Sequence, residues 1–427
     1  MTETAIAETS AAEDESVEPD LAPLRPQPLG AFGLPLGYLL IPAGEDTESA
    51  RRALLTGCIP DEWPLRLTPH RHALAGDRDA ALAALDALDV HDPITRYNRF
   101  VLNSDLEDAD DLRSVLGEFA PLVDLVSFAL GRIDAPPGVG DADREMAAIL
   151  LGATASHVLA DDPAAAVALL DSAVDAARVV SRPLAGSLLG ASASIFIETG
   201  DPGEAHERIE NALRLLADAD GLRVERAELH LTAAGLLHEQ THDNPGLIAQ
   251  AIPHYHSALQ LVQREDAPLL WASAHANLAT AYLTMPMVEA SGQLRLGVAS
   301  QSLRSALTVY TREDHPEQWA SVQLNLANSL VYTPSKHQAD NLVEAVELYE
   351  AVLEARDRNS DPLGRARVLA NQGNVLAHLG AFRDAKAKLY EARSLFEELG
   401  DDESVRAVRG VLDEVARQIT LNRTEAP

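Results

Sequence analysis

The sequence predicts an all-α protein built as a stack of antiparallel helix pairs, and three observations carry that prediction. The apolar content is 46% of the 427 residues while aromatics are only 4%. It is dominated by Ala, Leu and Val, which favours closely packed helices over a sandwich or barrel rich in β-branched and aromatic residues. A small–large–small triplet recurs along the chain at spacings of four and three residues. Related segments also recur ahead of these triplets, as in NLATAYL at Asn277, NLANSLV at Asn325 and NQGNVLA at Asn371.

Taken in chain order, residues 1–28 read as a disordered acidic tail. The first 24 residues contain seven acidic side chains and no Lys or Arg, and LAPLRPQP follows the acidic stretch. Residues 29–140 form an irregular, mostly helical N-terminal region. GAFGLPLGYLLIPAG is apolar but broken by Gly and Pro, as an extended segment tucked against helices would be. A short helix is expected over Glu48–Cys58 and a turn-rich link around Trp63 and Pro64. A helix, a turn at Gly76 and Asp77, and a second helix should follow from His70. IDAPPGVGD, 133–141, interrupts any helix because of its Pro and Gly residues.

Residues 141–400 are periodic. LLGATASHVL at Leu150 and LLGASASIFI at Leu188 are related, and each belongs to the first helix of a pair. The second helices carry Ala166, Ala205, Ala251, Ala299, Ala345 and Ala385. Four residues on come Leu170, Ile209, Tyr255, Leu303, Tyr349 and Leu389; three further come Ala173, Ala212, Ala258, Ala306, Val352 and Ala392. This spacing puts each triplet on one helical face, with small residues for close crossing and a larger one to fill the hollow between neighbours. Residues 401–420 read as an amphipathic capping helix and 421–427 as a tail.

The array resembles the tetratricopeptide (TPR) repeat family. The last unit, NQGNVLAHLGAFRDAKAKLYEARSLFEEL, is the best match, with Asn371, Gly373, Gly380, Ala385, Leu389 and Ala392 at packing positions. The resemblance implies a superhelical solenoid with a concave groove that binds protein segments and is lined by first helices. The repeats are longer than the 34 residues usual for the family. The added residues fall in stretches such as 284–297 and 333–340. Length variants with WAxxxxNL segments are similar to repeats in large bacterial signalling and assembly proteins.

The formal charge is −32, from 34 basic and 66 acidic residues. A nucleic-acid partner is disfavoured by that balance, whereas a cationic protein segment is compatible with it. The single cysteine, Cys58, cannot form an internal disulfide, and no basic start followed by an apolar core marks an export signal. A cytoplasmic setting and no membrane span are the expectations. No phosphate loop or nucleophile elbow is present, so catalysis and a cofactor are not expected. His70 with His72, His238 with His242, and His254 with His256 form close pairs but no ligand set with metal-site spacing, so no metal is expected.

The candidate binding residues are Trp271, Asn277, Tyr282, Trp319, Asn325, Asn328 and Asn371. Asparagine is a poor residue inside helices, so its recurrence on first helices requires a reason. Either the amides tie neighbouring helices together, or they line a face that holds the backbone of an extended peptide. Trp271 and Trp319 begin equivalent helices, where packing between repeats competes with ligand contact. The leading functional expectation is a protein-binding scaffold or accessory factor for a larger bacterial complex. The alternative is a regulatory module that senses a peptide or small ligand. Third comes an enzyme with a site in the N-terminal region, for which no motif speaks.

Overall fold

The computed structural model describes residues 25–242, 244–285, 292–332 and 337–425. The expected tail up to residue 24 lies outside them, as do parts of the two lengthened stretches. The chain divides after Glu225 into two compact units.

The first unit opens with an extended strap. β1 (Gln27–Pro28) pairs antiparallel with β2 (Leu40–Ile41). The boundary of the expected tail therefore moves: Gln27 is 4% exposed and belongs to the body. Six short helices follow: α1 (Glu48–Leu55), α2 (Thr68–Leu74), α3 (Arg78–Asp86), α4 (Pro93–Leu102), α5 (Ala109–Val115) and α6 (Ala120–Ala129). Gly76 makes the turn between α2 and α3 with φ +78°, and the Asp77 carboxylate caps α3 by accepting from the Ala80 N–H.

The strap is held by side chains from several helices. Asn98 of α4 accepts from the Leu40 N–H and donates to the Leu40 carbonyl, both at 2.8 Å. The Tyr97 hydroxyl donates to Tyr38 O at 2.9 Å, and the His70 ring of α2 lies 3.0 Å from Leu40 O. Burial drives the His70 pKa down to about 4, so at neutral pH the ring is uncharged.

After the 133–141 loop the regular pairs begin within this same unit. They are α7 (Arg144–Val158) with α8 (Pro163–Arg178), and α9 (Arg182–Thr199) with α10 (Pro202–Leu215). Asp162 and Asp201 cap α8 and α10, each followed by Pro at the first helical position, where its missing N–H costs nothing. Ser181 caps α9, and its hydroxyl also donates to Leu55 O at 2.8 Å. The Gly221 N–H donates to Gly57 O at 2.9 Å. These bonds join the irregular front to the first repeats.

The second unit contains α11 (Arg223–Glu239), whose first three residues precede the division, with α12 (Ile248–Leu261). Then come α13 (Pro268–Thr284) with α14 (Gly292–Ala306), α15 (Pro316–Tyr332) with α16 (Gln338–Ala355), and α17 (Pro362–His378) with α18 (Phe382–Leu399). α19 (Asp402–Glu425) closes the stack on α18 and runs five residues past the expected end of the capping helix. Both units are thus stacks of antiparallel helix pairs, an all-α TPR-like solenoid in which the only strands among the described residues are β1 and β2.

Every triplet residue read from the sequence is in the core. The six leading alanines are 0% exposed, and the larger residues reach at most 5%, at Leu170. Ion pairs such as Arg304–Glu344 and Lys388–Glu350 link successive second helices, and Arg358 in the turn after α16 pairs with Glu398 of α18. Pairs exposed to this degree contribute little to stability.

Candidate functional site

The buried alanines Ala227, Ala272, Ala320 and Ala366 mark the same phase on the four first helices of the second unit. The residue after each begins a row spaced by four, three and four, which keeps to one helical face. On α11 the row is Glu228, Thr232, Gly235 and Glu239, and on α13 it is Ser273, Asn277, Thr280 and Thr284. α15 presents Ser321, Asn325, Asn328 and Tyr332, and α17 presents Arg367, Asn371, Asn374 and His378. Every one of these sixteen residues is half-buried or exposed.

Hydrogen bonds place adjacent rows side by side. Asn325 Nδ2 donates to Thr280 Oγ1 at 3.4 Å, and Asn371 Nδ2 donates to Asn328 Oδ1 at 3.2 Å. The Tyr349 hydroxyl of α16 donates to the same Asn328 oxygen at 2.6 Å. By the same offset the position facing Asn277 is Gly235, which offers no side chain. An amide has two donor hydrogens and two acceptor lone pairs. These bonds use only part of that capacity, and the Nδ2 hydrogens of Asn328 enter neither of its two bonds. The two roles weighed for the amides are therefore compatible: they join helices and still present polar groups on an accessible face.

The remaining candidates stand elsewhere on the same helices. Trp271 is half-buried against the core with its ring edge-on to His275 at 4.3 Å between centroids. Trp319 packs against the core and carries the Arg312 guanidinium 5.7 Å from its ring centre. Tyr282 lies between two parts of the core with its hydroxyl 2.9 Å from His256 Nε2. The strip brings together Asn277, Asn325, Asn328 and Asn371, while the two tryptophans and Tyr282 fill neighbouring positions. Ser273, Thr280 and Ser321 share the strip beyond the residues that sequence reasoning offers, and so does Tyr332, one of the tyrosines of the middle units. Their signal was the four–three–four spacing, hidden because hydroxyls alternate with the amides.

Charge is distributed unevenly on this face. The α13 and α15 rows hold no acidic or basic residue. Glu228 and Glu239 flank them on α11, and Arg367 lies beyond on α17. The described histidines of α11 and α12 pair with one another or with tyrosine. His230 and His254 meet through their Nδ1 atoms at 3.0 Å, and His238 Nδ1 lies 3.3 Å from the Tyr255 hydroxyl. Burial, helped by His254, lowers the His230 pKa to about 4, and burial raises Tyr255 to about 12. The His242 side chain lies outside the described residues. Among the described residues no three His, Cys, Asp or Glu side chains converge as metal ligands, and no helix is long and apolar enough to cross a membrane.

The Asn328 geometry carries a stability prediction. Tyr349 is 1% exposed, and its pKa is raised by burial. Asn328→Ala removes the acceptor of its hydroxyl and should cost about 1–3 kcal/mol. Tyr349→Phe introduced into that variant should recover part of the loss. A double-mutant cycle in urea measures the coupling, and a value of zero would mean the bond contributes nothing.

No family model matches the chain, and no curated protein matches it. Similar solved structures exist. The apo form of RapI is 12% identical with a TM-score of 0.43, covering 83% of this chain and 96% of that one. A Rap protein complexed with Competence and Sporulation Factor is 15% identical with a TM-score of 0.38, covering 82% and 96%. The apo form of the quorum sensor NprR from B. thuringiensis is also 15% identical with a TM-score of 0.38, covering 82% and 85%.

Proposed function

We propose that this chain is a non-catalytic TPR-type module with lengthened repeats, which binds an extended peptide on the first-helix strip of its second unit and acts as a peptide-responsive regulator. The observation that supports this reading is the single register shared by Asn277, Asn325, Asn328 and Asn371, with hydroxyls between them and amide capacity left over. An amide can donate to and accept from a peptide backbone at once. Asn98 already does this to the chain's own strap at Leu40.

The accessory-scaffold role is the second reading. Regulation stands ahead of it because a strip three or four helices wide suits one short segment. A stable assembly client would bury on the order of 1,600 Å² in total. The overall acidity would speed association with a partner whose flanks are cationic, and added salt would reduce that part.

The test uses Asn325→Ala, because Asn325 makes only a long bond to Thr280 whereas Asn328 supports a buried tyrosine. Peptides retained by the full chain from a cell extract are identified by mass spectrometry, synthesised and titrated against both proteins. Binding that weakens about tenfold at an unchanged melting temperature is the expected result. A lowered melting temperature with unchanged affinity per folded molecule would leave the amides as structural ties and end the proposal.

A further inference from the structure

We infer that Tyr332 selects the partner of this strip: the segment it takes is uncharged where it crosses α13 and α15 and places one apolar side chain against the Tyr332 ring. The inference rests on the peptide-binding reading above and adds the chemistry of the peptide.

Tyr332 is the last residue of α15 and continues the row of Ser321, Asn325 and Asn328 at the next step of four. It is 70% exposed. The other aromatic residues on the strip helices, and Tyr255 and Tyr349 on their partners, are committed, while Tyr390, 50% exposed, stands on the second helix α18 with the Arg393 guanidinium over its ring. Tyr255 and Tyr349 are 1% exposed, Trp271 meets His275, Trp319 packs on the core, and the Tyr282 hydroxyl meets His256. Tyr332 stands one helical turn after Asn328 on the same face of α15, next in line to the Asn328–Tyr349–Asn371 contacts, where a backbone held by the amides would run. A tyrosine in this setting offers a large rigid contact area with few torsions to freeze.

The uncharged requirement follows from the rows themselves. No residue of the α13 or α15 rows is basic or acidic, and the one carboxylate on these two helices, Glu317, lies in the first turn of α15, at the end away from Tyr332. A charge brought onto these amides and hydroxyls would lose water without gaining a counter-charge. Axes of neighbouring packed helices lie roughly 8–10 Å apart. Three successive first helices therefore span about 20 Å, the length of roughly six extended residues. Glu228 and Glu239 at one margin and Arg367 at the other bound the neutral stretch.

The experiment pans a phage-displayed library of random eight-residue peptides on the full chain. An enriched peptide is then synthesised and titrated against the parent, Tyr332→Ala, Tyr332→Phe and Asn325→Ala, with a melting curve for each. The expected peptides lack Asp, Glu, Lys and Arg over their central positions and share an apolar residue. Tyr332→Ala should weaken binding about tenfold or more, Tyr332→Phe should retain it, and Asn325→Ala should weaken it, all at the parental melting temperature. Peptides that need Asn325 but ignore Tyr332→Ala, or that carry central charges, overturn this inference and leave the strip reading intact. No enrichment, or enriched peptides indifferent to Asn325→Ala, overturns both.

Discussion

Raising the pH from 6 to 9 is expected to weaken the first unit through one residue, Glu145. This carboxyl is 1% exposed at the start of α7, beneath the strap. The Gln27 side chain donates to one of its oxygens and the Gly30 N–H to the other. Burial pushes its pKa up to about 8, while the bond from Gly30 and the charges of Arg25 and Arg51 pull the other way. In the unfolded chain the group titrates near its ordinary value of 4.5. Between those values the folded state holds more protons than the unfolded one. Stability is therefore full below about 4.5, falls as pH rises towards about 8, and levels off above it. The loss integrates to on the order of a few kcal/mol. Urea denaturation at pH 6, 7, 8 and 9, clear of the isoelectric pH of 4.7, gives the slope. Glu145→Gln should flatten it relative to the parent, whatever the variant's absolute stability. Parallel pH profiles for the two proteins would mean that Glu145 is not the source.

The second large effect is expected at Ala345→Leu. Ala345 is 0% exposed on α16 and shares the core with Leu303, Leu326, Val368 and Leu389. Leucine would add three carbons at a crossing that accepts only a methyl group. Overpacking of this kind costs about 1–3 kcal/mol. For a unit of this size that lowers the melting temperature by roughly 2–12 °C. Thermal denaturation followed by circular dichroism checks it, with Val343→Leu as the control, since Val343 on the same helix is 48% exposed. Equal losses from both variants would remove the argument from close crossing.

The helix pairs were legible because their packing is periodic and local. Each triplet, such as Ala345, Tyr349 and Val352, lies within about two turns of helix. Its burial follows from spacing alone. The turn at Gly76 and Asp77 was legible for a similar reason, since a left-handed glycine and an Asp cap are short-range devices. The strap was only half legible. Its apolar run announced burial, but Asn98, Tyr97, His70 and Glu145, which hold it, lie 30 to 118 residues away along the chain. No periodicity links such positions.

The candidate site divides along the same line. Sequence spacing by itself placed Asn277, Asn325 and Asn371 at equivalent points of successive first helices, with Asn328 three residues after Asn325 on the same face. It also established the stack of helix pairs, because a repeating apolar pattern can be buried in no other regular way. Tertiary structure decided what each amide does. Asn328 accepts from Tyr349 and Asn371, whereas Asn325 reaches Thr280, although both stand in the same row of α15. It also decided that Trp271 and Trp319 turn towards the core while Tyr332 stands exposed. The reason is that a hydrogen bond or a ring contact depends on the partner the neighbouring helix supplies, and that partner lies more than forty residues distant in the chain for the contacts between first helices.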